Sequence, residues 1–256
     1  MYGRFGAGRF ASGRFGSGIS TLLAALSPLF WRDPSDLSTL FQDASGLVPV
    51  TAVGEPVRRL NNKGTLGGYF LAPSAAAAPA YQADGTYHWL ESDGVDDVLE
   101  YQGTVPFSVN LFEAVAFRTL SIDRPFAHIM SNRGGGPGDL AQRHPLISSA
   151  QAEPQRIICS FGGVASNVDT PGSLIGVDTV VSTSNSASQM ASNVNGVVAT
   201  RAGVALTDGG TEPYRVFGPN AARIRDYGGV HLNRVPTAEE EAFIRSCYAA
   251  KSGGIA

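Results

Sequence analysis

Charge, cysteine and long hydrophobic runs are all scarce in this sequence. Asp, Glu, Lys and Arg make up 16% of its 256 residues, against roughly 25% in an average globular chain. The net charge of −3 offers no general attraction to nucleic acid or to an anionic membrane, so neither is expected as a partner. The only cysteines, Cys159 and Cys247, stand in apolar contexts; they could pair, but two buried thiols is the plainer reading. With no Cys-x-x-Cys and no Cys/His cluster, a structural zinc site is not expected. His88, His128, His144 and His231 lack metal-ligand spacing, and His88 and His231 fall inside predicted strands as structural residues. A Gly-x-Ser-x-Gly elbow is missing. The glycine run SNRGGGPGDL lacks the Lys-Ser/Thr ending of a phosphate loop and reads as a surface loop.

The one near-continuous apolar run is ISTLLAALSPLFW, residues 19–31, too short to span a bilayer as a helix. Arginines precede it, as in a signal peptide. The leading region is long and glycine-rich, however, and no small-x-small cleavage site follows, so secretion by that route is not expected.

Acidic residues are also absent from the first 32 positions, which carry four arginines. Within them Gly-Arg-Phe occurs three times at a five-residue spacing, giving Arg4-Phe5, Arg9-Phe10 and Arg14-Phe15. Five residues turn an α-helix by about 500°, so successive phenylalanines point about 140° apart. In a strand the odd spacing sends them to opposite faces. The tract therefore reads as an extended peptide whose phenylalanines enter separate pockets of a protein partner. Such a peptide orders on binding. An Arg/Phe tract also suits single-stranded nucleic acid, but three repeats with one arginine each are few.

What is plentiful is glycine, 31 residues, and turn chemistry. From residue 86 onward ten short runs, YHWLES, VLEYQ, FEAVAFRTL, PFAHIMSN, RIICSF, DTVVSTSN, SQMASNV, VVATRA, YRVFG and RDYGGVHLNR, lie between turn signals. This pattern predicts an all-β antiparallel sandwich or barrel. Asn195-Gly196 marks a hairpin, since both residues tolerate a type I′ turn. One helix closes the chain in PTAEEEAFIRSCYAAKSGG: Thr237 and Glu240 form a capping box, and Lys251 with Gly253 marks the end. Phe243, Ile244, Cys247 and Tyr248 share its apolar stripe.

Three segments together resemble the concanavalin A-like (laminin-G-like) jelly-roll family. They are WLESDGVDDVLEY, the SQMASNVNGVVAT hairpin, and RIRDYGGVHLNRVPTAEEEAFI with its final strand and Glu-rich helix. They occur in the family's order and cover about residues 86–252. The earlier piece WRDPSDLSTLFQDASGLVPVTAVGEPV is similar to a segment that precedes such domains in tailed-phage and prophage structural proteins. The resemblance implies a jelly-roll β-sandwich in a virion protein of a tailed phage or of a phage-derived gene-transfer particle, made in a bacterial cytoplasm. The expected divisions are a docking arm at 1–18, an apolar anchor and leader at 19–80 packed on the sandwich, and the jelly roll at 81–256. In the leader, Pro34-Ser35-Asp36 reads as a turn or cap, Leu37, Leu40 and Phe41 as packing residues, and Trp31 as a buried anchor.

Chemistry concentrates in Glu91-Ser-Asp93-Gly-Val-Asp96-Asp97. Glucanases of the related family place Glu-x-Asp-x-x-Glu on one strand, where alternation aims the carboxylates into the sugar groove. Here Gly94 interrupts the motif and suggests a turn, which removes the common face, so catalysis is not expected. Asp93, Asp96 and Asp97 read first as turn-shaping residues that accept from backbone amides. Calcium, taken by some laminin-G-like domains, is the alternative for the same three residues; no other cofactor is expected. Loop candidates for a glycan are Tyr81, Tyr87, Asn132, Arg133, Arg143, His144 and Asn220. The expected function is attachment to a particle through residues 1–32 and host-surface glycan binding by a tail- or head-fibre-type component. A trimer is possible, although no heptad repeat demands one. A polysaccharide-degrading hydrolase centred on Glu91 and Asp93, or a purely structural decoration protein, are the alternatives.

Overall fold

A computed structural model describes residues 17–105, 108–122, 127–131, 147–150, 153–161, 164–203, 214–218 and 222–254. All six docking-arm residues, Arg4, Phe5, Arg9, Phe10, Arg14 and Phe15, lie outside them, as do Asn132, Arg133, Arg143, His144 and Asn220.

Helix α1 (Ser17–Ala25) is followed by β1 (Phe30–Arg32), β2 (Leu40–Phe41), β3 (Arg59–Asn61), β4 (Tyr69–Leu71), β5 (Ala80–Ala83) and β6 (His88–Glu91). Next come β7 (Leu99–Tyr101), β8 (Leu111–Ser121), β9 (Ala127–Ser131), β10 (Ile147–Ala150), β11 (Glu153–Phe161) and β12 (Val164–Asp169). The chain then forms β13 (Asp178–Asn185), β14 (Gln189–Val194), β15 (Val197–Ala202), β16 (Arg215–Val216), β17 (Arg223–Leu232) and helix α2 (Ala238–Ser252). Each of the ten predicted runs carries one of these strands.

Two antiparallel sheets make the sandwich. The first runs β15-β14-β13-β8-β17-β6-β5, with β1 also paired to β17; the second runs β12-β11-β10-β9-β16-β7-β4-β3-β2. This is a β-sandwich of the jelly-roll kind with a C-terminal helix. Alternation on β8 sorts its side chains into two layers. Val115 and Phe117 enter the core between the sheets, while Phe112, Ala114 and Ala116 face the layer that holds Ile244, Cys247 and Tyr248 of α2. Thr237 and Glu240 form the capping box, and Gly253 closes the helix. Asn195 and Gly196 both have positive φ, at 49° and 89°, as the hairpin between β14 and β15 requires. The cysteines are free and buried, Cys159 between the sheets and Cys247 under the helix. Among the described residues no helix is long and apolar enough to cross a membrane.

Segment 30–71 is built into both sheets rather than laid upon them. β1 pairs with β17 through Phe30↔His231 and Arg32↔Gly229, while β2, β3 and β4 extend the second sheet. Sequence reading missed these strands because two or three residues are too few to show alternation. A bulge between Asp226 and Gly228 shifts the register of β17 against β8. Ile224 before it and His231 after it can therefore both point between the sheets. A side chain at Gly228 would collide with the Arg32 carbonyl, 2.5 Å from an added Cβ, so glycine is what lets β1 lie this close. Trp31 is 4% exposed, as its anchor role required. Leu23 of α1 is also buried in the helix layer.

Candidate functional site

Three groups of charged residues stand out among the described residues, two of them buried and one open. Between the sheets, Arg32 donates to Asp226 at 2.8 Å and approaches the Met130 sulfur at 3.2 Å. Nearby, Tyr214 donates to Glu113, and the His231 ring nitrogen Nδ1 lies 3.8 Å from the same carboxylate. Phe30 stacks on Tyr214 at 4.7 Å. Arg32, Glu113, Asp226 and His231 are each at most 1% exposed, so no substrate reaches them. Their part is to join β1, β8 and β17. A second buried group does the same for the helix: Lys251 donates to Asp33 and, at 2.9 Å, to Ser35, while Lys63 donates to Asp33 at 3.2 Å. Burial alone would raise the Asp33 carboxyl, but the lysine charges and hydrogen bonds overcome it and hold the group at about 2.

The open group lies at the β5 edge of the first sheet. A groove of about 440 Å³ is lined in part by Ala76, Ala78, Ala80 and Gln82. Glu91, Ser92, Asp93, Asp97 and Arg223 make the rest of its lining. Its size falls in the range of small-molecule clefts. β6 ends at Glu91, and the chain turns at Gly94 with φ of +82°. An added Cβ there would stand 3.1 Å from the Arg223 backbone nitrogen. Asp93 accepts from the Val95 amide at 2.7 Å, and Asp97 accepts from the Asp93 amide at 2.7 Å. Asp93 and Asp97 thus shape the turn in the way expected of the three aspartates.

Carboxylate oxygens of Asp93, Asp96 and Asp97 also lie within 4.8 Å of one another. Oxygen-only donors suit a hard cation, but the amide bonds above already explain how the turn is held. Burial, with the Asp93 and Asp96 charges and against the Asp93 amide bond, pushes the Asp97 carboxyl up to about 6. Glu91 is tuned in the opposite direction. Burial would raise its carboxyl, but Arg223 at 2.6 Å and Trp89 at 3.1 Å donate to it, and the Arg223 and Arg225 charges hold it below the usual range. The guanidinium of Arg225 sits 4.6 Å over the Trp89 ring.

Of the two described aromatic candidates, Tyr81 is turned away from solvent and neither lines the groove. Tyr81 is 4% exposed and packs between the sheets, with its hydroxyl 2.6 Å from His88 Nδ1; period-two alternation on β5 turns it inward and leaves Ala80 and Gln82 for the groove. Tyr87 is half-buried against the helix layer, its hydroxyl beside Gly253. His88 and His231 lie in strands, as expected. Sequence reading missed Arg223, which reaches Glu91 from 132 positions away, and the groove-lining alanines, whose methyl side chains carry no chemical signal.

No protein-family model matches the chain, and no curated protein matches it in sequence. Among solved structures, the binding domain of Botulinum Neurotoxin DC in complex with SialylT aligns over 87% of this chain and 51% of its own, at 7% identity and a TM-score of 0.51. A Trypanosoma rangeli sialidase in complex with 2,3-difluoro-KDN aligns over 93% of this chain and 39% of its own, at 11% identity and a TM-score of 0.50. This chain thus spans about half or less of each. What it shares with them is the β-sandwich fold.

Proposed function

We propose that this chain is a non-enzymatic glycan-binding component of a phage-type particle, held there through residues 1–32. The observation that carries the binding part is the groove at the β5 edge: open, small-molecule sized, and lined by hydrogen-bonding side chains beside alanine methyls. Sugars are bound by this combination, because a pyranose offers C–H faces to apolar walls and hydroxyls to polar ones. The fold neighbours agree in kind, since one is a toxin binding domain in complex with SialylT and another a sialidase. The particle part rests on the Gly-Arg-Phe arm and on the resemblance of the leader to phage structural proteins.

Two features weigh against hydrolysis. Gly94 turns the chain, so Asp93 lies beyond the strand that carries Glu91. Glu91 is held ionised by arginines, which suits neither a proton donor nor a free nucleophile. Purified full-length chain should be retained by host-surface polysaccharide without shortening it. Shortening that disappears in Glu91→Gln would overturn the non-enzymatic reading. Failure to bind any surface polysaccharide would leave a purely structural decoration protein. Removing residues 1–16, ahead of α1, should leave a folded chain that no longer joins particles; normal incorporation would overturn the docking role.

A further inference from the structure

Charge is unevenly distributed along the groove. Its lining carries three carboxylates, Glu91, Asp93 and Asp97, against one guanidinium, Arg223. Arg223 is already committed to Glu91 at 2.6 Å, and Arg225 adds a 3.3 Å contact to the same carboxylate. Two guanidiniums on the one Glu91 carboxylate leave a single positive charge in excess at that end. Against it stand the three clustered carboxylates of Asp93, Asp96 and Asp97, so the balance that meets an incoming molecule is negative. The lining residues Ala76, Ala78, Ala80 and Gln82 bring no charge. We propose that this groove takes neutral or amine-bearing sugars and rejects sugars that carry a carboxylate or sulfate. The assignment rests on the glycan-binding reading above and names its ligand class.

The physical case is one of donors and acceptors. Ionised carboxylates only accept hydrogen bonds, so they are served by hydroxyls and better by an ammonium, which adds charge attraction. A sugar carboxylate or sulfate offers no donor there and meets like charge beside a low-dielectric wall. Arg223 gives little relief, since turning toward the ligand would strip Glu91 of its 2.6 Å partner. The site is already crowded with negative charge: burial and the neighbouring aspartates push Asp97 up to about 6.

The test is a glycan array holding neutral, amine-bearing and acidic sugars, probed with the full-length chain at low ionic strength. Matched oligomers of galactosamine, galactose and galacturonic acid are then titrated in solution. Hits should exclude acidic sugars, and the amine-bearing oligomer should bind at least about tenfold more tightly than the acidic one. Asp93→Asn should narrow that gap, and Ala76→Trp, which fills the groove from an exposed position, should abolish binding. Acidic sugars bound as tightly as the others, and blocked by Ala76→Trp, would overturn the ligand class while leaving the glycan-binding reading intact. Binding that survives Ala76→Trp would overturn the groove as the site. A blank array would overturn both the ligand class and the reading beneath it.

Discussion

Asp226, on β17, and Asp93, just past the end of the neighbouring β6, are aspartates with opposite surroundings. Asp226 is 0% exposed and faces Arg32 inside the sandwich. Asp93 stands exposed at the groove, where its side chain accepts from the amide of a turn. In the buried groups counter-charges are delivered by distant segments, Arg32 meeting Asp226 across 194 positions and Lys251 meeting Asp33 across 218. At the groove, negative charge is left over. A buried ion is tolerable only when paired, so the interior charges are committed to holding strands together. The surplus in the groove is free to act on a ligand.

The comparison can be broken at the buried end most sharply. Arg32→Met strands Asp226 in the core and should cost about 3–5 kcal/mol in denaturant unfolding. Arg32→Met with Asp226→Leu should recover most of that loss. A single variant within about 1 kcal/mol of the parent would show that the interior pair is no better committed than a surface one. Acid titration gives the next effect. Asp33 is depressed from 3.8 to about 2 in the folded chain, so its stabilisation is full above pH 4 and lost as pH falls toward 2. It should amount to about 2 kcal/mol, and the acid unfolding curve of Asp33→Asn should lack it.

Smaller effects belong to the groove. Gly94→Ala places a Cβ at positive φ against Arg223 and should cost roughly 1–2 kcal/mol, read as a fall in melting temperature. The last prediction has the opposite sign. Asp97 rises from 3.8 to about 6 on folding, so its protonated form favours the folded state below pH 4, and that contribution is lost as pH rises through 6. Asp97→Asn should therefore stabilise the chain at pH 8 by about 1 kcal/mol, part of the gain being offset by the weaker bond that an amide oxygen accepts from the Asp93 N–H, and should do nothing at pH 3.5. Destabilisation at pH 8 would mean that the Asp97 charge holds the turn together, as interior charges hold strands.

Local signals carried the parts of the fold that the sequence reveals. Thr237, Glu240 and Gly253 delimit α2 within one short segment, and Asn195-Gly196 sets its hairpin through two backbone angles. The turn at Gly94 and the aspartates around it were equally legible, since their bonds span two to four residues. Long-range partners were not. Nothing in Arg223 distinguishes it from other arginines until β17 is laid beside β6, and Tyr81 looked like a loop aromatic until its strand turned it inward. The alanines at 76, 78 and 80 carry no chemical signal of their own; they matter for the space they leave.

β1 also has a mechanical meaning. It fastens the early part of the chain to the last strand of the first sheet, with Phe30 seated between the sheets and Trp31 under the helix. Tension arriving from the N-terminal side would load Leu23 of α1 and then β1, whose rupture must expose both rings and part Arg32 from Asp226. The groove strand β5 follows β6 and β17 in the same sheet, so a pull between the N-terminal side and a molecule held at the groove would be carried in series by β1, β17 and β6.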